Sequence, residues 1–132
     1  MRDFKLHLPG RMLCRISPRF HLRMICRAIG LEPYVWQRAF ALGRISSLPG
    51  KRERGNGKTT AVMLRLLMLP KGTTSRDAKL ILNHDPGFRL VTNHNVLRWY
   101  EQEYRTLRIR CVLARVPVSD LGTSVFHSFM MM

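Results

Sequence analysis

Residues 58–69, Lys-Thr-Thr-Ala-Val-Met-Leu-Arg-Leu-Leu-Met-Leu, constrain the fold more than any other stretch of the chain. Leu, Met and Ala favour a helix, and Pro70 forces its end. Apart from Arg65 the later part is apolar nearly all round, so the helix has to be covered on several sides. It therefore belongs at the centre of a core. The apolar run from Ala61 to Leu69, interrupted by Arg65, is too short to span a bilayer. A chain of 132 residues with 45% apolar content suits one small domain built around such a helix.

Proline and glycine divide the rest. Ser17-Pro18 reads as an N-cap followed by proline at the first helical position, and Gly30 closes that element. Phe20, Met24, Ile25, Ala28 and Ile29 fall on one face at helical spacing. A second helix lies between Pro33 and Gly43 and carries Tyr34, Trp36, Gln37, Phe40 and Leu42. Residues 44–57, with two Ser, Pro49 and three Gly, read as a loop. Short runs rich in branched residues at 79–82, 89–92 and 109–114 predict β-strands. Between the last two, a helix over about 95–108 has the stripe Val96, Leu97, Tyr100, Tyr104 and Leu107, supported by the i,i+4 pair Glu101–Arg105. Helices alternating with β-like runs predict an α/β architecture. The expected organisation is a basic helical arm over residues 1–43 and an incomplete α/β region over 44–132.

Charge narrows the partners. Twenty-three Lys and Arg against eight Asp and Glu give a formal net charge of +15. Such an excess attracts polyanions, nucleic acid first and anionic membrane second. Arg15, Arg19, Arg23 and Arg27 recur every fourth residue, a stripe suited to the phosphate backbone of double-stranded DNA or to an acidic surface. It is equally compatible with a solvated helix face. Cys14, Cys26 and Cys111 are odd in number and widely spaced, so neither a disulfide framework nor a zinc site is indicated. The first residues lack the apolar core of a signal peptide. A reduced, soluble protein of the cytoplasm is expected.

The loop before residue 58 carries the chemistry. Gly55 and Gly57 let backbone curl around an anion, Lys58 can reach β and γ phosphates, and Thr59 has the hydroxyl that binds Mg²⁺ in a phosphate loop. A strongly helical segment follows at once and aims its N-terminus at the anion. The strict pattern GxxxxGK[ST] would need glycine at position 52, where this chain has Arg52.

The sequence Arg54-Gly55-Asn56-Gly57-Lys58-Thr59-Thr60 resembles the deviant Walker A of tailed-phage terminase large subunits, in which arginine replaces the early glycines. Tyr34-Val-Trp36-Gln37-Arg38 is similar to the aromatic-Gln pair those proteins carry upstream. The resemblance covers about residues 31–114, and only residues 54–60 are specific. It implies a partial P-loop NTPase-like domain with ATP and Mg²⁺ as cofactors. In it Lys58 lies on the phosphates, Thr59 on the metal, Arg54 beside the γ-phosphate and Gln37 near the base. DNA packaging would supply the partners, namely duplex DNA and other phage proteins.

Turnover is another matter. Hydrolysis needs a carboxylate at the end of a buried strand and usually a glutamate to position water. Late in the chain only Asp120 is available, after Pro117, with no glutamate following. The acidic cluster of a packaging nuclease is absent. The expectation is a nucleotide cradle without an evident catalytic group, in a fragment or reduced relative of a larger protein. Two alternatives stand beside it, a non-enzymatic basic nucleic-acid-binding protein and a fragment without function of its own. Asn83-His84-Asp85 and Asn93-His94-Asn95 allow a metal-nuclease reading, against ordinary turn residues. Of Trp99 and Tyr100, one is expected in the core.

Overall fold

A computed structural model describes residues 17–46, 48, 57–85 and 94–127. Six helices follow in order: α1 Pro18–Ile29, α2 Val35–Ala41, α3 Lys58–Leu67, α4 Ser75–Leu82, α5 His94–Leu113 and α6 Ser124–His127. No strand occurs among the described residues. The α/β expectation is therefore wrong for them, and with it the P-loop NTPase architecture.

Two of the three predicted strands are helical. Residues 79–82 close α4, whose N-cap Thr74 accepts the Asp77 amide on its hydroxyl at 3.1 Å. That cap commits the segment to a helix, and Ala78, Ile81 and Leu82 form one buried face at helical spacing. Residues 109–113 continue α5, which runs 20 residues without a break. A short apolar run has no period of its own, so the helix before it decides its conformation. Within it Cys111 is buried while Ile109, Val112 and Leu113 are exposed. Arg115 then takes a left-handed φ of 62°, and the Val116 amide returns to the Cys111 carbonyl at 2.8 Å. Pro117 prevents resumption. The third predicted strand, 89–92, lies outside the described residues.

The punctuation of α1 and α2 holds. Pro18 begins α1, and Gly30 ends it at φ 70° with its amide on the Arg27 carbonyl. Gly43, after α2, is also left-handed. The buried face of α1 is Leu22, Ile25, Cys26 and Ile29, whereas Phe20, expected inside, is 52% exposed.

The helix that opened the argument is central. In α3, Ala61, Val62, Met63, Leu64, Leu66 and Leu67 are all buried. Helices α1, α2, α4 and α5 each pack on it. The described part of residues 1–43 thus shares one core with the rest. Arg65, the lone cation of the helix interior, lies over the Phe40 ring at 4.8 Å, and its Nη1 is buried with no hydrogen-bond partner among the described residues. Burial lowers its pKa. His84 packs edge-on to the same ring, and burial and then Arg65 push its pKa down.

The C-terminal end of α3 is held by a buried polar cluster. Ser119 donates through Oγ to the Leu66 carbonyl at 2.6 Å and through its amide to the Leu67 carbonyl at 3.0 Å. Tyr104 donates to the Ser119 carbonyl at 2.9 Å and accepts the Leu121 amide at 3.1 Å. Arg108 adds a bond to the same Ser119 carbonyl at 2.9 Å. Carbonyls that every helix leaves without partners at its end are here paired by the chain itself.

Candidate phosphate site at the start of α3

The opposite end of α3 starts on Gly57, the N-cap, at φ 77°. Only glycine adopts that φ without strain. A Cβ at this position would also crowd the Gln37 side-chain amide and make it shift. The contact has a purpose. Gln37, 3% exposed on α2, donates through Nε2 to the Gly57 carbonyl at 3.0 Å and accepts the Tyr34 amide on Oε1 at 2.8 Å. Trp36 approaches the same glycine. The aromatic-Gln pair of α2 therefore does meet the glycine loop, but through the backbone of Gly57.

No described side chain caps the first turn of α3. Its leading amides are those a helix cannot satisfy internally, and the axial dipole adds positive potential there. Lys58 sits in this turn, 8% exposed, with no hydrogen bond or ion pair to any described residue. A cation in the first turn adds to the positive potential of the helix N-terminus, so an anion is the natural complement to this position. Thr59, next along, donates through Oγ1 to Asp85 Oδ2 at 2.7 Å. Tyr100 donates to the same oxygen at 3.1 Å. Asp85 itself is 4% exposed.

The carboxylate paired with Thr59 is thus Asp85, from the turn after α4. The sequence pointed instead to Asp120, whose side chain is 69% exposed and sits 3.5 Å from Arg108. A hydroxyl and a buried carboxylate side by side are hard oxygen donors of the kind Mg²⁺ takes when phosphates complete its shell. Thr60 is half-buried beside them on α3. Arg54, Gly55 and Asn56 lie outside the described residues. Of the residues behind the nuclease alternative, His84 packs its ring on Phe40 and Asn93 lies outside the described residues; no group of three His, Cys, Asp or Glu suited to a metal occurs among the described residues.

Arg19, Arg23 and Arg27 stand exposed on α1 as the spacing predicted, while Arg15 lies outside the described residues. Cys26 and Cys111 are buried free thiols. Burial and then neighbouring Cys26 push the Cys111 thiol up to about 11. Tyr100 is the core member of its pair and Trp99 is 48% exposed. No described helix is long and apolar enough to cross a membrane. Comparison with protein-family models, with curated proteins and with solved structures returns no match.

Proposed function

We propose that the start of α3 binds the phosphates of a nucleotide, ATP being the candidate, with Mg²⁺ accompanying it. The observation that carries this reading is Lys58, a largely buried cationic residue without a described partner, in a helical turn that no described side chain caps and that begins on a left-handed glycine. Lys58 and the first-turn amides supply the anion contacts. Thr59 and Asp85 supply the oxygens that would face the metal. Gln37 acts as a positioning residue, holding the Gly57 turn open from the α2 side. The reading concerns binding and not turnover.

The arginine-bearing motif of residues 54–60 is similar to that of terminase large subunits, which supports DNA packaging as the setting and duplex DNA and phage proteins as partners. That support is sequence motif alone. A second reading, a non-enzymatic basic nucleic-acid-binding protein, is favoured by the exposed arginine row on α1. Titration with a fluorescent ATP analogue separates the two. Saturable, Mg²⁺-dependent binding that Lys58→Ala abolishes supports the nucleotide site. Absence of binding in the parent protein, with nucleic-acid affinity falling steeply in salt, supports the second reading.

A further inference from the structure

We propose that the groove between α1 and α2 binds a single-stranded nucleic acid. This inference stands independently of the phosphate site at α3. Helices α1 and α2 both pack on α3 and leave between them an open groove of about 850 Å³. Arg19, Arg23 and Arg27 line its α1 wall, one helical turn apart and so about 6 Å per step. Arg38 and Arg44 line it from the other side. All five are exposed, and Glu32 is the one acid among the lining residues. None of the α1 arginines has an ion pair with a described residue.

Between the arginine walls the lining is apolar, with Leu22, Leu31 and Ala39. At the mouth, Tyr34 is 66% exposed, and its ring lies 17° from parallel to Trp36 at a centroid distance of 6.5 Å. The groove thus offers cations at its rim, an apolar floor and an aromatic face at one end. A single strand presents the complement: one phosphate per nucleotide for the guanidinium groups, and unpaired base faces for the floor and the tyrosine. Arginine serves both, since its plane stacks on bases as well as pairing with phosphate. A duplex keeps its bases inside, so it would engage the rim and leave the floor and Tyr34 unmatched. Charge complementarity therefore selects a polyanion, and the apolar floor selects its single-stranded form.

The test uses the full chain and fluorescence anisotropy over a salt series. The probes are labelled oligo-dT and oligo-rU of about 12 nucleotides, a duplex of equal length and an acidic amphipathic peptide. Both single strands should bind more tightly than the duplex and the peptide, and the tighter of the two names the preferred sugar. The slope of log K against log salt should be about −3.5, at about 0.7 per phosphate neutralised by five arginines. Arg23→Gln, Arg27→Gln and Arg38→Gln should each make that slope shallower by about 0.7. Tyr34→Ala should weaken binding several-fold with the slope unchanged, and Arg76→Gln, exposed on α4 outside the groove, should leave binding as in the parent. All these side chains are exposed, and matching thermal melts verify that each variant is folded. Duplex or peptide binding as tight as single-strand binding overturns the proposal. So does a slope indifferent to the arginine substitutions, or absence of single-strand binding.

Discussion

The two ends of α3 are built to opposite rules. At the C-terminal end, Ser119, Tyr104 and Arg108 satisfy carbonyls and one another in a cluster in which Ser119 is 1% exposed and Tyr104 fully buried. At the N-terminal end, no described side chain caps the amides and Lys58 is buried without a described counter-charge. A chain selected for stability alone would treat the ends alike, because unpaired groups at either end cost free energy. The asymmetry among the described residues supports the proposal that one end closes the fold while the other receives a ligand.

Substitutions at the two ends should therefore separate stability from binding. The largest effect is expected from Tyr104→Ala, which deletes a fully buried ring and its hydroxyl network at a cost of about 3–5 kcal/mol. Thermal melts should record a fall of more than about 10 °C, while nucleotide affinity at a temperature where the variant remains folded stays as in the parent. Next comes Lys58→Met. It should weaken nucleotide binding at least about 100-fold, or about 2.7 kcal/mol. The melting temperature should stay level or rise, because a largely buried residue with a charged tip is replaced by an apolar chain of similar length. A sharp loss of stability instead would make Lys58 a structural residue and erase the contrast between the ends.

Ser119→Ala is expected to cost about 1 kcal/mol, since the Leu66 carbonyl loses the shorter of its two donors and keeps the Leu69 amide at 3.2 Å. Urea denaturation measures it, and nucleotide affinity should not change. The smallest effect belongs to pH. The Cys111 thiol is held up to about 11, against an ordinary value of 9.0, so the folded chain keeps it protonated where the unfolded chain releases the proton. Stability from this group is full below about 9 and is lost as pH rises through about 11. Urea midpoints taken at pH 8 and 10.5 should decline in the parent protein and decline less in Cys111→Ala.

What the sequence made legible follows the same divide between local and distant. Pro18, Gly30, Pro33, Gly43 and Pro70 act on their own neighbours, so the ends of α1, α2 and α3 could be read directly. The all-round apolar character of 58–69 likewise announced the central helix. The strands at 79–82 and 109–114 were misread because branched residues in short runs carry no period. The Thr74–Asp77 spacing, a helix-start signal, was the correcting clue available for the first of them. On α1 the error was one of phase: Phe20 matched the spacing, but Leu22 and Cys26 fit the actual groove between neighbours. At the candidate site, Gly57, Lys58 and Thr59 were visible as a local motif. Asp85 was not, since its pairing with Thr59 spans 26 residues and depends on how α4 folds back. Ser119 escaped for the same reason, meeting Leu66 across 53 residues.

Gln37 spends both ends of one amide on backbone, its oxygen at Tyr34 and its nitrogen at Gly57. The side chain is therefore a strut of fixed length between the mouth of the arginine groove and the turn that opens α3. Should a ligand at that turn alter affinity at Tyr34, reciprocity requires that occupancy at Tyr34 act back on the turn by an equal free energy. Gln37→Glu keeps the length and reverses the polarity at one end, turning a donor toward the Gly57 carbonyl into an acceptor. A ligand at one site should then alter affinity at the other less than it does in the parent protein, because two facing acceptors repel and the strut is released.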